Sequence, residues 1–224
     1  MRDTFRLGII RVLTKENAPP DWLNSHGRVI EHFYPDIQTI TRMIPGQYEG
    51  IHDTVSQEKA VPKIEALART FVSEAVDGIL VSCAADPAVE QIRKWCSVPV
   101  VGAGRSVALL ALAAGTPVGV LGISPDPPAV LKEVLGGHLC GGTAPQGVTT
   151  ANDLYVPGGE EYFIAPAKEL VEMGAQSIAL ACTGFASLGT ASKLARKLSI
   201  PVVDPVVAAG SIIRYLMMEK RENG

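Results

Sequence analysis

Gly78-Ile79-Leu80-Val81-Ser82-Cys83 leads through a helix-length stretch to Val98-Pro99-Val100-Val101. Later in the chain, Ser177-Ile178-Ala179-Leu180-Ala181-Cys182 leads in the same way to Ile200-Pro201-Val202-Val203. Each block reads as an apolar strand ending in a cysteine, then a helix, then a Pro-Val-Val strand. The first strands are unbroken apolar runs, which suits a parallel sheet covered by helices on both faces. Leu7-Gly8-Ile9-Ile10 and Val118-Gly119-Val120-Leu121 supply a matching earlier strand for each block. A shared order of three elements reads as an internal duplication.

Working outward, Leu7 to Val12 reads as a strand, Trp22 to Phe33 as a helix and Ile37 to Ile44 as a strand. Pro45, Gly46 and Gly50 mark a long loop. Thr54 with Gln57 resembles a capping box opening a helix through about Ala75. Asp86 before Pro87 has the signature of an N-cap and first helical residue. Past Ser106 the pattern restarts. Pro117 to Ile123 is expected as a strand, Pro128 to Leu135 as a helix, Gln146 to Val148 as a strand and Glu160 to Met173 as a helix. A helix through Leu198 and a final one from Ala208 to Lys220 complete the order. The expectation is an α/β fold of two pseudo-symmetric, doubly wound, flavodoxin-like parallel-sheet lobes with the active site in the cleft between them. Residues 1–105 plus 205–224 would form the first lobe and 106–204 the second.

Composition narrows the function. Of 224 residues 47% are apolar and 19% charged, which is globular rather than disordered. Twenty basic against twenty-three acidic residues give a net charge of −3, with no basic excess for a nucleic-acid backbone. Charges or prolines interrupt every apolar run before it could span a bilayer. Met1 to Gly8 carries no signal-peptide core, so the expected setting is the cytoplasm. Four cysteines, Cys83, Cys96, Cys140 and Cys182, form no Cys-x-x-Cys pair and resemble neither a zinc site nor a disulfide framework. Phosphate-loop, His-Glu-x-x-His and Gly-x-Ser-x-Gly motifs are missing, and Gly102-Ala103-Gly104 lacks the third glycine of a dinucleotide fingerprint.

Ligands of open parallel sheets bind beyond the carboxyl ends of the strands. Cys83 and Cys182 both lie there, each ahead of a helix, where free N–H groups and the helix dipole favour thiolate. Two cysteines facing each other across a cleft suit removal of a proton from one face of a carbon and delivery to the other. That is racemisation or epimerisation with no cofactor, pyridoxal phosphate and metal included. Cys96 and Cys140 have no such pairing and read as structural. Thr183 and Gly184 would contact the substrate, with Ser82 and Ala84 flanking the first cysteine. Gly104 would let backbone approach the cleft, and Arg11 at the end of the first strand would anchor a carboxylate or form a surface ion pair. Asp86 reads as a helix cap, with tuning of Cys83 as the less common alternative. His26 on the first helix and His52 in the long loop lie within reach of the cleft, although a core or solvated histidine is the commoner fate. Asp204-Pro205 either lines the cleft or opens the last helix, and Tyr48, Glu49 and Tyr155 sit on loops that would close over a ligand.

The segments VSCAADPAVEQIR…VPVVGAG, ALACTGF and IPVVDPVVAAG resemble the aspartate/glutamate/hydantoin racemase superfamily, with the hydantoin racemase branch most alike. The resemblance spans nearly the whole chain. It implies a two-domain pseudo-symmetric fold, a cofactor-independent mechanism with Cys83 and Cys182 as the acid/base pair, a substrate-contacting Cys182-Thr183-Gly184 turn, and a homo-oligomer. The chain departs from that branch at Arg11-Val12-Leu13-Thr14, where an Asn-Pro-Asn type turn is usual, and at Ala84-Ala85, where Phe-Asp is usual. These changes touch the substrate rather than the proton-transfer pair. The leading expectation is a racemase of 5-substituted hydantoins or a related amino-acid derivative. The alternatives are an acidic amino-acid racemase, a maleate-type isomerase, an arylmalonate-type decarboxylase, or a non-catalytic intracellular small-molecule binding protein.

Overall fold

The computed structural model describes residues 4–155 and 159–223, with side chains of 159–161 left out of the description. Met1 to Asp3, the start of the polar N-terminal stretch read above, lie outside them. In chain order the elements are β1 (Phe5–Arg11), α1 (Pro20–Leu23), α2 (Ser25–Phe33), β2 (Ile37–Met43), α3 (Thr54–Ser73), β3 (Gly78–Ser82), α4 (Val89–Arg93), β4 (Val100–Gly102) and α5 (Ala103–Ala114). Then follow β5 (Val118–Leu121), α6 (Ala129–Leu135), β6 (Leu139–Thr143), α7 (Gly159–Glu172), β7 (Ser177–Leu180), α8 (Gly184–Leu188), α9 (Thr190–Leu198), β8 (Val202–Val203) and α10 (Pro205–Asn223).

The strands form two four-stranded, wholly parallel sheets, ordered β2-β1-β3-β4 and β6-β5-β7-β8. The order repeats strand for strand, as a duplication requires. Every residue of β3, β5 and β7 is buried, which their unbroken apolar runs dictate. Gly8 and Gly119 occupy equivalent places on the central strands. A Cβ at Gly8 would meet the Phe71 ring of α3 at 2.7 Å, and one at Gly119 would meet Leu170 Cβ of α7 at 2.9 Å. Each glycine therefore lets a helix lie flush on its sheet.

The long helices cross between the halves. Helix α10 leaves the second sheet and covers the first, where Val206, Ala209, Ile213 and Met217 join Leu7, Ile9, Leu80 and Val101 in one buried cluster. Helix α5 leaves the first sheet and covers the second, with Val107, Ala108 and Ala111 against Val118, Val120 and Ala179. The expected cut between 105 and 106 falls inside α5, and the sequence reading had no helix there.

Several local expectations are corrected. The helix read over Trp22 to Phe33 is two helices that meet at Asn24. The α3 capping box is Asp53 with Ser56 rather than Thr54 with Gln57: the Ser56 N–H donates to Asp53 Oδ1 at 2.7 Å, and the Asp53 N–H donates to Ser56 Oγ at 3.0 Å. Asp86 does not cap its own helix, since α4 starts at Val89 behind a left-handed Ala88 (φ 61°). Gln146 to Val148 is loop, and the strand beside β5 is Leu139–Thr143. No described helix is long and apolar enough to cross a membrane.

Candidate active site

Cys83 and Cys182 stand just beyond the carboxyl ends of β3 and β7, in turns of the same form. The Cys83 carbonyl accepts the Asp86 N–H at 3.2 Å, and the Cys182 carbonyl accepts the Phe185 N–H at 3.2 Å. Both side chains are 8% exposed and line one cleft of about 430 Å³ between the halves. That volume suits a small ring compound. Arg11, Ser82, Ala84, Thr183 and Gly184 line the same cleft. Gly104 does not. It lies behind the Cys83 turn, where a Cβ would stand 2.1 Å from the Ala84 carbonyl oxygen.

Burial reverses the expected thiolate preference. It raises the Cys83 thiol to about 12 and the Cys182 thiol to about 11. The N–H two residues on, Ala85 or Gly184, favours each thiolate without overcoming desolvation. Short helices explain part of the difference from expectation: α4 begins six residues after Cys83, and α8 is only 5 residues long. The two environments are unequal. Arg11 favours the Cys182 thiolate, whereas Cys182 and Asp86 both oppose a charge on Cys83.

Arg11 is buried and its guanidinium is engaged. Nη1 donates to the carbonyls of Trp22 at 2.5 Å and Leu23 at 3.2 Å, and the group lies 3.9 Å above the Trp22 ring. Tyr155 faces it from the second half. Arg11 is thus no surface ion pair: Nη1 is held by the protein while the side chain lines the cleft. Lys132 at the rim is paired with Asp126 at 2.7 Å.

His26 is the residue that sequence reasoning undervalued. It is 1% exposed, lines the cleft, and shares a hydrogen bond of 2.9 Å between Nδ1 and Ser82 Oγ. Its Nε2 is buried without a hydrogen-bond partner. Burial and then Arg11 push its pKa well below the ordinary histidine value, so the ring is neutral. No spacing marks it in the sequence, because its partner Ser82 comes from a strand 56 positions away. Thr183 Oγ1 donates to the Ser82 carbonyl at 3.2 Å, and Ser25 Oγ meets Ser187 Oγ at 2.9 Å. These contacts join the halves behind the two cysteines.

The remaining candidates divide. His52 and Tyr155 line the cleft. Tyr48 does not line it and donates its hydroxyl to Glu16 at 2.7 Å. Glu49 is exposed outside the lining. Asp204 caps α10, accepting the N–H groups of Val206 at 2.8 Å and Val207 at 3.1 Å. Among the described residues no three His, Cys, Asp or Glu side chains converge as a metal site.

The sequence model of the Asp/Glu/hydantoin racemase family matches residues 31–211. No curated protein sequence matches the chain. An allantoin racemase structure from Klebsiella pneumoniae superposes with a TM-score of 0.84 at 20% identity, covering 97% of this chain and 89% of that one. An allantoin racemase from Pseudomonas fluorescens gives 0.75 at 17%, covering 96% and 92%. A glutamate racemase from Bacillus anthracis gives 0.67 at 12%, covering 98% and 84%. At these identities the likeness is one of fold.

Proposed function

Because the chain belongs to the Asp/Glu/hydantoin racemase family, we propose that it racemises a 5-substituted hydantoin with Cys83 and Cys182 as its two acid/base groups. One observation carries the reading: two equivalent, buried cysteines end the equivalent strands β3 and β7 and line a single cleft. One thiolate takes the proton from the stereogenic ring carbon, and the opposite thiol protonates the other face. The roles then exchange for the other enantiomer. The carbanion charge spreads over the ring carbonyl and nitrogen, so a hydantoin asks less of the site than a free amino-acid carboxylate does. The pairing of Lys132 with Asp126 at the rim supports a neutral ring as substrate. So does the neutral state of His26. No cofactor enters this chemistry, and the ligand is a small molecule rather than a macromolecule. The two allantoin racemases among the similar structures put allantoin, itself a 5-substituted hydantoin, first among the substrates to try.

The test is incubation in D₂O with single enantiomers of allantoin, other 5-substituted hydantoins, aspartate and glutamate. Proton NMR follows deuterium entering the stereogenic carbon while optical rotation is recorded. Exchange with loss of rotation on a hydantoin is the expected result. Exchange on aspartate or glutamate alone would overturn the substrate class, and exchange on none would overturn the racemase.

A further inference from the structure

Helices α5 and α10 follow equivalent strands, yet their first turns are capped by carboxylates from different places. Val202-Val203-Asp204 ends in a residue whose own side chain caps α10. Its counterpart, Val100-Val101-Gly102, ends in a glycine that has no side chain to offer. Asp86 reaches over from the Cys83 turn instead. Its Oδ1 accepts the Gly104 N–H at 2.6 Å and its Oδ2 the Arg105 N–H at 2.7 Å. A Cβ at Gly102 would stand 2.2 Å from Asp86 Cγ, so the arriving carboxyl fills the space a local cap would need. The turn is bent to make this reach, with Asp86 at φ 49° and Ala88 at φ 61°, a left-handed conformation unfavourable for both residues.

The exchange leaves the two cysteines in unlike company. Three residues after Cys83 comes Asp86, half-buried, whose backbone N–H bonds the Cys83 carbonyl and whose carboxyl, its pKa raised by desolvation to about 6, is charged above that pH. Three residues after Cys182 comes Phe185, in the apolar core of the second half. We propose that Asp86 is a positioning residue which fastens the Cys83 turn to α5 and sets a negative charge near Cys83, so that in the small fraction of enzyme that has lost one of its two thiol protons the remaining proton stays on Cys83 and the thiolate is that of Cys182. The proposal rests on the two-cysteine reading and adds the order in which the pair is charged. In the first half-cycle Cys182 takes the carbon-bound proton and Cys83 gives up its own. The enzyme then carries the thiolate on Cys83 and must exchange the two protons before it acts again on the same enantiomer. The opposing influences of Asp86 on Cys83 and Arg11 on Cys182 agree with this order.

The full-length chain tests it through alkylation. Rates of iodoacetamide reaction at Cys83 and Cys182 are measured separately by peptide mass spectrometry near pH 8. The proteins compared are wild type, Asp86→Asn, and the double variant Asp86→Ala with Gly102→Asp. The double variant moves the cap back to the position it has in α10, so its melting temperature should return close to that of wild type. Lowering a thiol's pKa by one unit raises its reaction rate about threefold, because the gain in thiolate outweighs the loss in nucleophilicity. Cys182 should react faster than Cys83 in wild type. In Asp86→Asn the rate at Cys83 relative to Cys182 should rise by about threefold for each unit the Cys83 thiol falls, whereas in the double variant, whose carboxylate caps the same Gly104 and Arg105 N–H groups, the ratio should stay near that of wild type. An unchanged ratio in Asp86→Asn overturns the role given to Asp86, and so does an equal rise in the double variant, which would trace the effect to a loosened turn rather than to the carboxylate. The readout requires no turnover. Loss of the alkylation bias in an active racemase would refute only the Asp86 assignment, and a bias in a protein that racemises nothing would refute only the racemase.

Discussion

Raising the pH from about 8.5 to about 10.5 should weaken the fold through the same two cysteines that line the cleft. An unfolded cysteine releases its proton near pH 9, whereas the native Cys83 and Cys182 hold theirs to about 12 and about 11. The native state therefore binds protons more tightly than the unfolded one. Its stability is full below the unfolded pKa and drains as pH rises toward the native values. Each group costs at most about 1.4 kcal/mol per pH unit, reached only midway between its unfolded and native values. Across the two units the pair comes to roughly 3.5 kcal/mol. For a chain of this length that is roughly 7–14 °C in melting temperature. The informative quantity is a difference between proteins, in which every contribution common to both cancels. Melting curves of wild type and of the Cys83→Ser, Cys182→Ser double variant, recorded at both pH values, isolate it. The serine hydroxyls do not ionise there, so the double variant should lose that much less. Parallel losses in the two proteins would refute the claim that burial holds both thiols protonated.

Three further outcomes follow from the same site. Cys83→Ser and Cys182→Ser should each lower racemisation by about a thousandfold or more while retaining deuterium exchange on one enantiomer only, opposite for the two variants, as followed by NMR and optical rotation. In wild type, log kcat/KM should rise with a slope near one from about pH 6 to about pH 9, because only the small thiolate fraction is competent as base; a flat profile would contradict the raised thiols. Arg11→Met should reduce kcat/KM at neutral pH by about tenfold for each unit added to the Cys182 pKa. The loss should shrink in alkaline buffer, and a pH-independent loss would mean that Arg11 acts through packing alone.

The parts of the fold legible from sequence were those written in contiguous residues. GILVS and SIAL are mainly apolar, and buried throughout, because both faces of each strand are covered, and the cysteine shortly after each marks the strand end. Helix α5 escaped notice for a related reason. AGRSVALLALAA is buried on much of its circumference, so it lacks the one-sided periodicity that identifies a helix, and it coincides with the break between repeats. LCGGT was passed over because two glycines and partial burial blur a strand at the edge of a sheet. That Cys83 and Cys182 line the cleft was readable from the repeat, and the places of Thr183 and Gly184 from their position after Cys182 and from the family resemblance. The state of the thiols was not, since it depends on burial contributed by both halves. Tuning of Cys83 by Asp86 was among the readings of the sequence, but the helix it caps was not, as its partners Gly104 and Arg105 are 18 and 19 positions away.

The crossing of α5 and α10 has a consequence for the integrity of either half. A chain ending at Val203 would retain both cysteines and both sheets, but the apolar surface of Leu7, Ile9, Leu80 and Val101 would lose its cover of Val206, Ala209, Ile213 and Met217. A chain beginning at β5 would likewise bare Val118, Val120 and Ala179, which α5 shields. Neither repeat is therefore a self-sufficient folding unit. Each carries the helix that makes its sibling soluble, so excising one would leave an adhesive sheet face in search of another chain.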